Sequence, residues 1–170
     1  MGADTGARMT GRLQAETDDV LAALDYAKGL PDIDIHRIGI MGWSFGGIIS
    51  VFAASRSDGF YAIVDQAGGS LTWNRSRELQ TAMQDAARKI RIPLLCLGAE
   101  NDATTESVKS VCDNAARNGA DAAVTIYPPF TPTQNLNNVA PGHLLFSGQG
   151  VAVWGQDVVR FFNTHRPRRD

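Results

Sequence analysis

Three short segments carry residues that could perform nucleophilic chemistry together. Gly42-Trp43-Ser44-Phe45-Gly46 sets a serine between two glycines, Glu100-Asn101-Asp102 supplies carboxylates, and Gly142-His143-Leu144 supplies an imidazole. A serine hydroxyl is a weak nucleophile until a base takes its proton and a third group orients that base. The order serine, acid, histidine contains one candidate for each part, so covalent catalysis by an activated Ser44 is the chemistry to test.

The first segment lies in a telling context. An apolar stretch, Arg37-Ile38-Gly39-Ile40-Met41, enters the pentapeptide, and Gly47-Ile48-Ile49-Ser50 leaves it. This is the strand-turn-helix setting of a nucleophile elbow, where the serine is held in a strained conformation. Side chains at Gly42 or Gly46 are expected to collide with the crossing of strand and helix.

The acid and the base have competitors. Glu100 lies two residues before Asp102, and Asp65 ends an earlier apolar run, which is a second place for a triad acid. His143 competes with His36, ahead of the first strand, and with His165, in the expected terminal tail. Asp102 and His143 are the preferred pair because each follows a strand at the same expected sheet edge as Ser44.

Alternating strands and helices create that edge. Val20, Leu21 and Leu24 recur at helical spacing, with acids in the first turn and Gly29 and Pro31 as stop signals, which predicts a helix of about three turns starting near Glu16. Strands are predicted at 37–41, 61–64, 94–97 and 123–127, and helices at 46–55 and 78–89. A further helix is capped by Thr104 or Thr105 and ended by Gly119, and a last one carries Val151, Trp154, Val158, Phe161 and Phe162 on one side. Short continuous apolar strands between helices mean a parallel sheet buried on both faces. The fold class is α/β, a three-layer α/β/α sandwich, and in such sheets ligands bind beyond the carboxyl ends of the strands.

Composition narrows the classes. The 170 residues, 44% apolar and 20% charged, suit one globular domain over residues 1–170, with 1–14 and 165–170 expected to be flexible. A net charge of −2 offers no field for nucleic acid or an anionic membrane surface. Cys96 and Cys112 show neither metal-ligand spacing nor a disulfide framework and read as buried small hydrophobes. No metal or cofactor is expected, and a cytoplasmic protein without a membrane span is the default.

In these motifs the chain resembles the α/β-hydrolase superfamily and, within it, the dienelactone-hydrolase-like serine esterases. The resemblance rests on Arg37 to Gly47, on Leu95-Cys96-Leu97-Gly98-Ala99-Glu100-Asn101-Asp102, on Tyr127-Pro128-Pro129-Phe130, on Gly142-His143, and on Val153-Trp154-Gly155-Gln156-Asp157-Val158. It implies acyl transfer with Ser44 as nucleophile, His143 as base and Asp102 as the acid that holds the imidazole. The Phe45 backbone N–H would be one oxyanion donor at the start of a helix. Trp43, Trp73, Phe130 and Phe146 lie near strand-end loops, where they either line a substrate pocket or pack in the core.

Against that family the chain is expected to be a shortened α/β-hydrolase fold of about four strands, lacking the amino-terminal strands and the loop that supplies the second oxyanion donor. The strand feeding Ser44 would then be a sheet edge open to self-association, and turnover would suffer by about 10²–10³-fold. The leading functional expectation is hydrolysis of small carboxylic esters, lactones or thioesters by a serine esterase. A peptidase-like acyl hydrolase and a catalytically weak or inactive binding domain derived from a hydrolase are the alternatives.

Overall fold

Apolar strands with no polar alternation can rest only between two covering layers, and the computed structural model, which describes residues 3–168, shows how this chain supplies them. The elements run α1 (Ala3–Lys28), β1 (Ile40–Trp43), α2 (Phe45–Arg56), β2 (Ile63–Gln66), α3 (Arg77–Ala87), β3 (Leu94–Ala99), α4 (Glu106–Arg117), β4 (Ala122–Tyr127) and α5 (Val151–His165). Short 3₁₀ turns lie at Trp73–Arg75, Pro141–Phe146 and Gly148–Gly150.

The four strands form one parallel sheet in the order β1-β2-β3-β4. Each crossover carries one α-helix, and the right-handed rule sends α2, α3 and α4 to the same face. Their apolar sides join α1 in one cluster around Val51, Ile63, Met83, Leu94 and Val111. The opposite face carries Val64, Leu95, Leu97, Tyr127, Leu145, Phe146 and Val158, under α5 and the turn at Pro141–Phe146. The expected three layers are thus present.

Burial follows strand position. Every residue of β2 and β3 is buried, whereas β1 and β4, at the two edges, expose Met41 and Val124. Fully burying a Val, Leu or Ile side chain is worth about 1.5–3 kcal/mol. The two central strands therefore hold the sheet, and the Arg56–Asp18 ion pair between α2 and α1, exposed on both sides, adds about 1 kcal/mol at most.

Several boundaries differ from expectation. Helix α1 starts at Ala3 rather than near Glu16, so much of the segment expected to be flexible is helical; Leu13, Thr17 and Leu24 are buried at helical spacing along it. Met1 and Gly2, like Arg169 and Asp170, lie outside the described residues. Strands β1 and β2 sit two to three residues later than predicted, which puts Asp65 inside β2 rather than at its end. At the start of α4, Thr105 occupies the cap position while the Thr104 hydroxyl accepts the Glu106 N–H at 3.1 Å. In α5, Val151 is exposed and Val158 is the buried residue of the expected stripe.

The cysteines and one histidine also need correction. Cys96 on β3 and Cys112 on α4 are buried as expected but joined as a disulfide, their Cα atoms 6.2 Å apart. The crossover that packs α4 against β3 aligns them, a tertiary fact that a separation of 16 residues does not announce. His165 does not sit in a loose tail: it closes α5, with Nδ1 donating to the Phe161 carbonyl at 2.9 Å and Nε2 lying 3.1 Å from Asp121 Oδ2. Among the described residues no helix is long and apolar enough to cross a membrane.

Candidate active site

Ser44 occupies the one-residue turn between β1 and α2, with φ 59° and ψ −116°. A non-glycine residue pays about 1–3 kcal/mol for such a conformation, which persists only where its surroundings impose it. Here the Ser44 N–H donates to the Gln66 carbonyl at 2.8 Å, and the Ser44 carbonyl accepts the Ile48 N–H at 3.2 Å. The turn is pinned from both sides.

Gly42 is required because any Cβ there would run into the Gly46 and Gly47 backbone. The expectation for Gly46 is overturned: a Cβ at that position meets nothing within 4 Å. The second glycine that the crossing needs is Gly47, which lies against the Asp65 carboxylate and the Gly68 backbone.

His143 sits in the Pro141–Phe146 turn, and Asp102 follows β3. His143 Nε2 lies 2.8 Å from Ser44 Oγ, and its Nδ1 lies 3.0 Å from Asp102 Oδ2. With the ring proton on Nδ1, the histidine donates to Asp102 and accepts the Ser44 O–H. The other Asp102 oxygen accepts the Ala103 N–H at 2.6 Å. His143 and Asp102 are almost wholly inaccessible, 3% and 1% exposed by side chain, so this contact works in a poorly screened setting.

Two loops must meet for this to happen. The Asn101 side chain ties the acid loop to Phe130, donating to its carbonyl and accepting its N–H, both at 2.9 Å. The Asn101 carbonyl accepts the Gly142 N–H at 3.2 Å. Phe130 thus helps hold the acid loop in place.

The competing acid is excluded by position. Asp65 is fully buried on the α2 side of the sheet, its Oδ1 accepting the Gly68 N–H at 2.9 Å, and it makes no hydrogen bond to a histidine. Loss of hydration raises its pKa to about 7, and the Gly68 bond lowers it only in part. Tyr127 is likewise shifted upward, by burial and by donating to Asp157 Oδ2 at 2.7 Å.

Phe45 opens α2, so its N–H is among the four that a helix leaves unpaired, and the helix dipole favours negative charge beside it. Arg12 of α1 lies 4.7 Å above the Phe45 ring. Of the aromatic candidates, Trp43 reaches the site, its ring 5.5 Å from that of His143. Trp73 and Phe146 do not line an open pocket: they are 6% and 4% exposed and pack in the two apolar clusters. A concavity of about 840 Å³ near Asp32, His36 and Tyr61 lies at the amino ends of β1 and β2, away from Ser44, His143 and Asp102. Among the described residues no group of acids, histidines or cysteines is arranged to hold a metal ion.

Sequence reasoning missed Ser70, whose hydroxyl lies 2.9 Å from Asp102 Oδ2 and 3.0 Å from His143 Nδ1. Its setting, Gly68-Gly69-Ser70, reads as turn chemistry, and no local signal marks it.

Known proteins share this arrangement of strands and helices. Acylaminoacyl peptidase from Pyrococcus horikoshii superposes with a TM-score of 0.67 at 16% identity, over 91% of this chain and 28% of the other. Dienelactone hydrolase from Anabaena variabilis gives 0.66 at 16% identity, over 91% and 62%. The dienelactone hydrolase-like promiscuous phosphotriesterase P91 from metagenomic libraries gives 0.63 at 22%, over 86% and 60%. The chain thus spans less than two thirds of each, and these likenesses establish an α/β-hydrolase fold. No curated protein sequence matches the chain. A model of the dienelactone hydrolase family matches residues 3–138, a stretch that takes in Ser44, Ser70 and Asp102 and stops just short of His143. On that match over most of its length, the chain belongs to the dienelactone hydrolase family.

Proposed function

We propose that the protein is a serine hydrolase that cleaves small carboxylic esters through an acyl-enzyme on Ser44. The observation that carries the reading is the unbroken relay from Ser44 Oγ to His143 Nε2 at 2.8 Å and from His143 Nδ1 to Asp102 Oδ2 at 3.0 Å. His143 takes the Ser44 proton as Oγ attacks the ester carbonyl, and Asp102 stabilises the resulting imidazolium. Collapse of the tetrahedral intermediate expels the alcohol, which receives that proton. Water, activated by the same histidine, then hydrolyses the acyl-enzyme.

The Phe45 N–H, at the start of α2, would serve as one oxyanion donor, a role that the helix dipole supports. The sequence joining β2 to β3 is short, with α3 packed on the sheet, and this supports a small, soluble substrate such as an ester, lactone or thioester.

Fluorophosphonate labelling tests the reading. A covalent adduct on Ser44, lost in Ser44→Ala, is the expected result; a folded wild-type protein that never labels would overturn it. The fold shared with an acylaminoacyl peptidase favours one rival, a peptidase-like acyl hydrolase. Faster cleavage of an aminoacyl anilide than of p-nitrophenyl acetate would select the rival. A protein that binds such ligands equally well with and without Ser44, and turns over neither, would instead be a binding domain.

The edge position of β1, with Met41 46% exposed, supports self-association along that strand. Sedimentation at micromolar concentration is expected to show a dimer or larger species, and a stable monomer refutes the idea.

A further inference from the structure

Ser70 stands apart from the relay by sequence yet touches two of its members. Ser70 Oγ, Asp102 Oδ2 and His143 Nδ1 form a nearly equilateral triangle with sides of 2.9, 3.0 and 3.0 Å. Only one arrangement of protons uses all three sides: Ser70 O–H donates to Asp102 Oδ2, and the Nδ1–H of His143 is shared between that carboxylate oxygen and the Ser70 oxygen. The residue is 3% exposed, so water cannot readily replace it.

The loop that delivers Ser70 is sharply bent. Ala67 and Gly69 both have positive φ, 54° and 75°. The Ala67 N–H is anchored on the Leu97 carbonyl at 2.8 Å, and Asp65 Oδ1 holds the Gly68 N–H at 2.9 Å. The two anchors fix this loop at the carboxyl ends of β2 and β3, where Ser70 meets Asp102.

We infer that Ser70 is a positioning residue of the active site, which fixes the Asp102 carboxylate and keeps the His143 ring proton on Nδ1. This inference rests on the hydrolase reading of the same site. By holding Oδ2 from a second direction, Ser70 restricts rotation of the carboxylate, and the imidazole keeps Nε2 aimed at Ser44. Ser70 touches no reacting atom.

The test compares wild type, Ser70→Ala and Ser70→Thr with p-nitrophenyl acetate as substrate and with proton NMR of the His143 Nδ1–H. Ser70→Ala is expected to lower kcat about tenfold at unchanged KM, the loss of one hydrogen bond to a charged group. Its Nδ1–H resonance should move from the wild-type position, and Ser70→Thr should restore both. Wild-type kcat and resonance in a folded Ser70→Ala protein overturn the inference. If that variant does not fold, Ser70→Cys, of similar volume and with a weak donor, takes its place under the same criteria. Failure of the hydrolase reading shows separately, as wild type that fluorophosphonate does not label; the resonance then decides on Ser70 without any turnover.

Discussion

Gly142 lies directly against Asp102: a Cβ built on Gly142 would stand 2.5 Å from the Asp102 backbone nitrogen and 2.6 Å from the Asn101 carbonyl carbon. The loop that carries His143 therefore crosses the loop that carries Asp102 at a point where no side chain fits. Because the obstructing atoms are backbone, Gly142→Ala must displace one loop from the other. Displacements of about 1 Å can cost 10²-fold in rate. The variant is expected to label with fluorophosphonate at least 10²-fold more slowly than wild type while keeping its far-ultraviolet circular dichroism.

Asp102→Asn should be more severe for catalysis and milder for structure. The amide preserves shape but turns an acceptor toward Nδ1 into a donor, which favours the wrong tautomer of His143. A loss of about 10⁴-fold in kcat is expected, with the unfolding midpoint little changed. Steady-state kinetics alongside thermal unfolding would check both halves.

Asp65 gives the protein a pH-dependent stability of identifiable sign. Its pKa rises from 3.8 in the unfolded chain to about 7 in the folded one because burial disfavours the charged form. The folded state thus holds a proton that the unfolded state releases. The contribution is fully present below pH 4, is lost as pH climbs through 7, and changes no further above that. Each pH unit in the window is worth about 1.4 kcal/mol. Asp65→Asn, which cannot ionise, should lack this slope. Urea unfolding at pH 5 and pH 8 is expected to show wild type losing about 3 kcal/mol relative to the variant, and parallel behaviour would refute the assignment.

The Cys96–Cys112 cross-link closes a loop of 16 residues. Its removal in the Cys96→Ala/Cys112→Ala protein is expected to cost about 3 kcal/mol by the chain-entropy argument. Both sulfurs are buried, so dithiothreitol should open the bond only as fast as the protein unfolds. Thiol alkylation in intact cells adds a second reading: such bonds are rare in the reducing cytosol. Free thiols there would agree with the cytoplasmic expectation, and a protected pair would point to an oxidising compartment.

The meeting of Ser44, His143 and Asp102 and the fold class were legible because they rest on local signals repeated at one edge of the sheet. An apolar run followed by a candidate residue occurs at Ser44 and at Asp102, and the chain order of the three residues matches a known chemistry. Parallel strands announced themselves by lacking alternation. What stayed hidden depends on contacts across elements. Ser70 looks like any turn serine until Asp102 and His143 approach it. Gly47 rather than Gly46 bears the close contact because Asp65 comes from another strand. The early start of α1 was obscured by its polar composition, in which, among the residues from 11 onward whose burial is described, Leu13, Thr17 and Leu24 mark the buried side.

The site is assembled from distant parts of the chain. Ser44 and His143 are 99 residues apart, His143 and Asp102 are 41 apart, and Ser70 and Asp102 are 32 apart. Ser70 and Asp102 meet across one crossover, from β2 through α3 to β3, but both contacts of His143 join parts of the chain that no single crossover links, and long loop closures are slow. A refolding chain should regain its helical signal before Ser44 becomes reactive. Ser44 labelling would then act as a clock, marking when the last loop has docked.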